Sequence, residues 1–228
     1  MPKATRSIEE IAEVRERIME SALDILAKNG YENLSMGRLG SRMNMTAANL
    51  YNYFGNKDEV LIAIHKKTFE MLHGAIRAAV KGVETPLERI KALAYAFVEF
   101  GTNNVNIYDI MFNRPIRQYS DYIGTPQEAL AFDEYNNSMK TLAYAVMIFR
   151  DYAETRPDLA NIDPKLLTIR HLSALHGIIS LHNSRILFEM DDNPADVLKA
   201  VIDDVIETLT GPYRAPADAS VKEDRRNQ

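Results

Sequence analysis

Along most of the chain, apolar residues recur at intervals of three or four, and no stretch alternates strictly between apolar and polar positions. The first such stretch carries Ile8, Ile11, Val14, Ile18, Ala22 and Ile25. This spacing places apolar side chains on one face of an α-helix, whereas strict alternation would indicate a β-strand. The pattern therefore predicts an all-α protein.

Helix-capping signals divide this pattern into segments. Ser7-Ile-Glu-Glu10 is a capping box, and the runs that begin at Thr85 and Thr125 repeat it with proline in second position. Asp163-Pro164 is a further cap, while Gly30 and Gly211-Pro212 are typical helix ends. These signals predict about nine helices, near residues 8–28, 35–43, 46–53, 57–81, 86–103, 105–112, 126–155, 164–189 and 194–210.

The turn near residue 82 is the expected boundary between a small N-terminal module and a larger helical domain. We expect a three-helix domain with a helix-turn-helix in residues 1–56, a connecting helix in 57–82 and a ligand-binding and dimerisation domain in 83–212. Residues 213–228 are polar and lack a capping pattern, so they predict a disordered tail.

Composition excludes several classes of site. The 228 residues include no cysteine, which rules out disulfides, thiol nucleophiles and cysteine-bound metals and fits a reducing cytoplasm. No apolar run approaches the roughly 18 residues of a membrane span, and the short polar N-terminus does not resemble a signal peptide. We therefore expect a cytoplasmic protein without contact to a membrane.

The net charge of −5 is unevenly distributed. Residues 1–75 hold 10 basic and 10 acidic side chains, so the rest of the chain carries the whole excess of acid. Between residues 33 and 57 the charged side chains are Arg38, Arg42 and Lys57, without an acid. A locally basic surface on an acidic body is compatible with specific DNA binding.

Residues 35–57 carry the pattern of a helix-turn-helix. Ser35 can cap a short helix whose inner face carries Met36, Leu39 and Met43, and Asn44-Met45 then forms a turn. Thr46 can cap a second helix, in which Leu50 and Phe54 face inward while Thr46, Ala47, Asn49 and Tyr53 lie elsewhere on the circumference. Because this second helix is too short to be stable alone, we expect its neighbours to hold it against DNA.

Residue types on the second helix suit a DNA groove. Small side chains at Thr46, Ala47 and Ala48 allow close approach, and Asn49 can both donate to and accept from adenine. Tyr51 and Tyr53 carry hydroxyls, and Lys57 adds charge at a helix start. The bland alternative is a three-helix bundle with surface tyrosines.

Three stretches resemble the N-terminal module of the TetR family of transcriptional regulators, namely Gly30–Ser35, Leu39-Gly40 and Leu50-Tyr-Asn-Tyr-Phe-Gly-Asn-Lys-Asp-Glu-Val-Leu61. Several positions depart from the family pattern, including Ser35 for threonine and Asn52-Tyr53 for Tyr-His. The resemblance implies phosphate contacts by Ser35, Tyr51, Asn52, Tyr53 and Lys57 and base contacts by Thr46, Ala47, Ala48 and Asn49. Further backbone or minor-groove contacts would come from Arg38 or Arg42 and from Lys3 or Arg6.

The resemblance also implies a C-terminal domain that dimerises and senses a small molecule. Tyr108–Phe112, Arg114-Pro115 and Leu175-His176-Gly177 resemble a subfamily named for a Trp-His-Gly motif, with Leu175 in place of tryptophan. Candidate pocket residues combine aromatic rings, methionines and polar ends, and they are Phe97, Phe100, Tyr108, Met111, Phe112, Tyr144, Met147, Leu172 and His176. For each of them the alternative is an ordinary place in the core.

Other helices predict a partner subunit. The apolar stripe of residues 194–210 is wider than one domain needs, so together with 164–189 it predicts a four-helix interface in a homodimer. A dimer would carry two reading helices and bind a pseudo-palindromic operator. His171, His176 and His182 are spaced so that no two can share a metal ion within one helix.

The leading hypothesis is a dimeric, ligand-released repressor that binds operator DNA. No glycine-rich phosphate loop, nucleophile elbow or metal-ligand spacing is present, so we expect neither an enzyme nor a cofactor. A helical interaction or ligand-sensing protein that has lost specific DNA binding is the alternative, which Asn52 and the acidic total charge leave open.

Overall fold

A computed structural model describes residues 7–114 and 116–211, and in these ranges every regular element is helical, which confirms the all-α prediction. Short 3₁₀ turns connect several of the helices. The α-helices are α1 (Ile8–Asn29), α2 (Met36–Arg42), α3 (Ala47–Leu50), α4 (Lys57–Val80), α5 (Pro86–Asn103), α6 (Val105–Tyr108), α7 (Glu128–Ala153), α8 (Pro164–Asn183), α9 (Leu187–Met190) and α10 (Pro194–Thr210).

The helix starts follow the capping signals, with one exception. The Ser7 hydroxyl accepts from the Glu10 amide at 3.2 Å while the Glu10 carboxylate accepts from the Ser7 amide at 2.8 Å, a complete capping box. At the exception, α7 begins at Glu128, and the Thr125 hydroxyl accepts from the Gln127 amide instead of capping the helix. A carboxylate oxygen of Glu128 accepts a hydrogen bond from the Gly124 amide at 2.8 Å, and this bond closes the turn before the helix.

The predicted helix 164–189 is broken in two. The α8 helix ends at Asn183, and Arg185 adopts the left-handed conformation with φ of 64°, so the chain turns before α9 begins at Leu187. The described ranges thus hold ten α-helices instead of about nine. Polar residues at 183–185 explain the break, because they favour turns over a helix interior.

Two hydrophobic clusters organise the molecule. One, which we call the head core, joins α1, α2 and α3 to the first half of α4 through residues such as Leu26, Leu39 and Val60. The other, the body core, joins the second half of α4 to α5, α7, α8 and α10. Because α4 belongs to both clusters, a movement of this helix displaces the head relative to the body.

The domain boundaries at residues 56, 82 and 212 remain predictions, and the proposed tail 213–228 lies outside the described residues, as do Lys3 and Arg6. No helix in the described part of the chain is long and apolar enough to cross a membrane.

Candidate DNA-binding face and ligand cavity

The turn between α2 and α3 is tight and capped at both helices. The Ser35 hydroxyl accepts from the Arg38 amide at 3.2 Å, and the Thr46 hydroxyl accepts from the Asn49 amide at 3.1 Å, as the sequence predicted. A Cβ atom at Gly40 would lie 2.7 Å from the Met45 carbonyl oxygen, closer than a side chain allows. The two short helices therefore approach each other at a position that requires glycine.

The inner side of this unit is set by buried side chains. Leu39, Leu50 and Phe54 are almost fully buried in the head core, which confirms their inward orientation. Tyr53 is also buried, with only 6% of its surface exposed, so the expectation that it lies away from the inner side is wrong. It follows Leu50 by three residues in the turns after α3, and this spacing brings it back to the same side.

The outer side presents small and polar groups. Thr46, Ala48, Tyr51 and Asn52 are exposed, and Tyr51 exposes half of its surface. Ala47 and Asn49 are partly buried. The Asn52 amide donates to the Asn49 side-chain oxygen at 3.4 Å, a long bond that leaves the Asn49 amide group available to a base edge.

Some of the charged residues around this surface are paired with an acid of the protein, and others are not. Arg42 pairs with Asp24, whereas exposed Arg38 bonds to the neutral side chain of Asn33. Lys57 is the first residue of α4, and its ammonium group lies 4.6 Å from the centre of the Tyr31 ring. The Tyr31 ring thus positions Lys57 without neutralising its charge.

The body contains an apolar cavity of about 390 Å³ bounded by α4, α5, α7 and α8. Four of the predicted pocket residues line it, namely Phe97, Phe112, Leu172 and His176. Tyr108 stands behind them, with its hydroxyl 2.8 Å from Nδ1 of His176. Burial raises the pKa of Tyr108 and lowers that of His176, so both groups are neutral near pH 7.

The other predicted pocket residues lie elsewhere. Phe100 and Met111 are buried in the body core and do not line the cavity. Tyr144 and Met147 border an open groove beside the turn after α4, and Met147 is 44% exposed. On α7 the cavity is lined by Ser138, Met139, Thr141, Leu142 and Ala145, and Tyr144 and Met147 are not among these residues.

Sequence reasoning missed 11 of the 15 residues that line the cavity. Phe69, Leu72 and Ile76 line it from α4, which the sequence indicated only as a connecting helix. Thr141 exposes only 8% of its surface, and its hydroxyl has no hydrogen-bond partner among the described residues. Aspartate, glutamate, lysine and arginine are absent from the part of the wall that the structure describes.

One segment touches both the cavity and the head. After α6 the chain forms a π-helical turn over Asp109–Asn113. Within this turn Ile110 is buried in the head core, whereas Phe112 lines the cavity. Next to it, the guanidinium of Arg114 binds Asp109 at 2.7 Å and Glu32 of the head at 2.8 Å. Residues 109–114 therefore contact both the cavity and the head.

Comparison with known proteins bears on the N-terminal module and on the fold. Residues 18–64 match the family model of bacterial regulatory proteins of the tetR family. The transcriptional activator FasR of Mycolicibacterium smegmatis is 24% identical over 117 residues, which cover 51% of this chain and 51% of FasR. The transcriptional repressor KstR of the same organism is 31% identical over 78 residues, 34% of this chain and 38% of KstR.

These matches span about half, or less, of the curated relatives. Over the longer range the fold resembles that of AibR, solved in complex with isovaleryl coenzyme A and operator DNA, with a TM-score of 0.56 and 18% identity. That superposition covers 87% of this chain and 99% of the AibR chain. The resemblance to the Trp-His-Gly subfamily stays a prediction. Residues 18–64 thus match the N-terminal module of the TetR family, and the larger part of the chain shares the helical fold of AibR.

Proposed function

We propose that the protein is a transcriptional regulator that binds operator DNA as a dimer and is released by a small molecule, acting as a repressor. The observation that carries this proposal is the exposed side of α3, where small and amide side chains stand on a buried apolar base. Such a surface fits the major groove and offers the bonding groups that read base edges.

The contacts divide into two kinds. Asn49, with Thr46, Ala47 and Ala48, would face base edges, while Ser35, Arg38, Tyr51, Asn52 and Lys57 would contact phosphates. Tyr53 keeps a phosphate contact only through its hydroxyl, because its ring belongs to the head core. The Ser35 hydroxyl already caps α2, so its phosphate contact would use the remaining bonding capacity of that group.

The apolar cavity is the proposed effector site. Its wall offers neutral hydrogen-bonding groups at Ser138, Thr141, Ser173 and His176, and its other residues are apolar. At roughly 30 Å³ for each non-hydrogen atom, 390 Å³ accommodates a portion of about a dozen such atoms. The wall thus suits an uncharged, mainly apolar ligand portion. AibR, which shares the fold, was solved with isovaleryl coenzyme A, a molecule with a small apolar acyl group.

Release from DNA would follow a population shift. A ligand that pushes on Phe112 displaces the π-helical turn, and Ile110 passes this movement to the head core. Direct pressure on Leu72 and Ile76 would move α4 in the same way. The ligand shifts the equilibrium only by its difference in affinity for the two arrangements, which for such coupling is about 1–3 kcal/mol.

The dimer interface is proposed on 164–189 and 194–210. Leu166 and Ile169 on α8 and Phe188 on α9 each expose 44–56% of their surface. Val197 and Val201 of α10 are only partly covered. Apolar groups in this quantity on neighbouring helices are typical of a surface that a second subunit covers.

The test begins with selection of genomic fragments by the purified full-length protein, followed by shift assays over a range of salt. We expect a pseudo-palindromic site and a steep loss of affinity with salt. Lys57→Ala should weaken binding to every sequence and flatten the salt slope by about one, whereas Asn49→Ala should change the preferred base. Lys91→Ala in the body is the matched control and should bind like the unmodified protein.

A reporter gene controlled by the selected site would then establish the sign of regulation. Normal operator binding by Lys57→Ala at physiological salt would contradict the assignment of that residue. Absence of any salt-dependent DNA binding would favour the alternative, a ligand-sensing interaction protein without an operator.

A further inference from the structure

The helices α4 and α7 border a second cavity on other faces than those that line the apolar one. It is an open groove of about 540 Å³. Three basic side chains line it, Arg77 and Lys81 from the end of α4 and Lys140 from α7. We call this site the basic groove. It stands out because the chain as a whole is acidic, with a net charge of −5.

The cations of the basic groove are not neutralised by the part of the protein that the structure describes. None of the ion pairs among residues 7–114 and 116–211 includes Arg77, Lys81 or Lys140. The one acid in the lining is Glu70, at the end nearer the head, where it also interacts with Lys67. The groove therefore keeps an excess of positive charge.

Uncharged polar groups also line the basic groove. His73 lies between the cations and packs edge-on against the Tyr144 ring, with centroids 5.5 Å apart. Its Nδ1 atom is buried and has no hydrogen-bond partner among the described residues. Burial, together with the positive charges of Arg77 and Lys140, lowers the pKa of His73, so the neutral ring can offer an N–H group without adding charge.

The position of the basic groove separates it from the DNA-binding face. Arg77 follows Lys57 by 20 residues on the continuous helix α4, which at 1.5 Å per residue is about 30 Å. A flat or ridged surface would suit a phosphate backbone, whereas these cations line a concavity between two helices. The geometry thus favours a small ligand over nucleic acid.

We propose that the basic groove binds a small phosphorylated anion, with Arg77 and Lys140 as its main contacts from opposite helices. The planar guanidinium of an arginine pairs with two phosphate oxygens at once, and lysines supply further charge as points. Three cations against one acid suit a di- or oligophosphate better than a single carboxylate. This site is separate from the apolar effector cavity, and it does not rest on the proposed function.

Isothermal titration calorimetry of the full-length protein with inorganic pyrophosphate tests this proposal. Sodium sulfate at the same ionic strength serves as the reference anion. The double variant R77Q/K140Q removes one cation from each side of the groove. K91Q/R150Q removes the same charge outside the groove, at partly exposed Lys91 of α5, which pairs with Glu88, and at exposed Arg150 of α7, and it is the control. Thermal unfolding checks that both variants fold.

We expect saturable binding of pyrophosphate that sulfate does not reproduce. R77Q/K140Q should weaken it at least tenfold, since each lost charged contact removes a substantial part of the binding energy, while K91Q/R150Q should change it less than twofold. Absence of binding up to about 10 mM, or equal weakening by both variants, would overturn the proposal. If the protein does not bind pyrophosphate and R77Q/K140Q loses DNA binding, the proposal is also overturned, and the groove is a nucleic-acid surface instead.

Discussion

Nδ1 of His65 in α4 lies 3.0 Å from Oε1 of Glu134 in α7, and the two side chains expose only 12% and 15% of their surface. Around this pair, Arg117 binds Asp58 at 3.0 Å and the Asn137 amide donates to the Lys66 carbonyl at 3.1 Å. These polar contacts thus link the first half of α4, which supports the head, to α7, which lines the apolar cavity. They lie between the proposed DNA-binding face and the proposed effector site.

Loss of this pair should be costly. Glu134→Gln keeps the shape but replaces the charged acceptor of His65 by a neutral amide oxygen in a nearly buried place, and we expect the free energy of unfolding to fall by about 1–3 kcal/mol. Asp133→Asn is the matched control, because Asp133 is 60% exposed in its pair with Lys66 and should contribute less than about 1 kcal/mol. Denaturant unfolding measures both, and equal effects would contradict the role of the His65–Glu134 pair.

Two glycines of α2 should respond in opposite directions to alanine. At Gly40 the new Cβ would meet the Met45 carbonyl at 2.7 Å, so Gly40→Ala should destabilise the head by about 1–3 kcal/mol and weaken DNA binding. At Gly37 nothing lies within 4 Å, and Gly37→Ala should stabilise the helix by about 0.5–1 kcal/mol. Thermal unfolding with operator titration checks the pair. A tolerated Gly40→Ala would show that the turn is wider than described.

The buried hydroxyl of Thr141 should lower the free energy of unfolding of the ligand-free protein, because it has no hydrogen-bond partner among the described residues. Thr141→Val keeps the shape and removes a buried group without a partner, so we expect the free energy of unfolding to rise by about 1 kcal/mol. The control is Ser138→Ala, since the Ser138 hydroxyl donates to the Tyr135 carbonyl at 2.8 Å and its loss should destabilise by about 1 kcal/mol. A fall in stability for Thr141→Val would indicate that the hydroxyl is satisfied.

Stability should decrease on mild acidification. Burial lowers the pKa of His171 and His176 below the ordinary value of about 6.5, so the unfolded chain takes up protons first. The stabilisation is therefore complete above about pH 6.5 and is lost as the pH falls from there toward the lowered folded-state values. Each histidine contributes up to about 1.4 kcal/mol per pH unit in this window.

Denaturant unfolding between pH 7.5 and 5 measures this slope. His171→Asn should reduce it, because asparagine can still donate to the Leu167 carbonyl but does not titrate. An unchanged slope in this variant would mean that His171 does not contribute to the acid sensitivity.

Local signals explain why the head could be predicted more closely than the cavity. The caps at Ser35 and Thr46 and the inward places of Leu50 and Phe54 depend on neighbours a few residues apart, so their spacing is sufficient. Tyr53 was misplaced because α3 ends at Leu50 and the chain then follows turns, not the helix that the spacing assumed.

The cavity depends on which faces of distant helices meet. Tyr144 and Thr141 lie on the same helix, and both suit a pocket by residue type, yet only Thr141 faces the apolar cavity. The spacing of apolar residues on α7 indicates which side of the helix is buried, but it does not indicate which other helix packs against that side. The break at Arg185 was missed for a related reason, since the apolar pattern continues into α9 across the turn.

The place of Ile110 has a consequence for engineering. Its side chain is 2% exposed within the head core, although it comes from a segment more than fifty residues beyond α3 in the chain. A fragment cut after α4 would leave an apolar hole where Ile110 belongs and would be less stable than the same residues in the full chain. Chimeras that exchange reading heads between regulators should therefore transfer the π-helical turn with the head, or match its shape in the recipient.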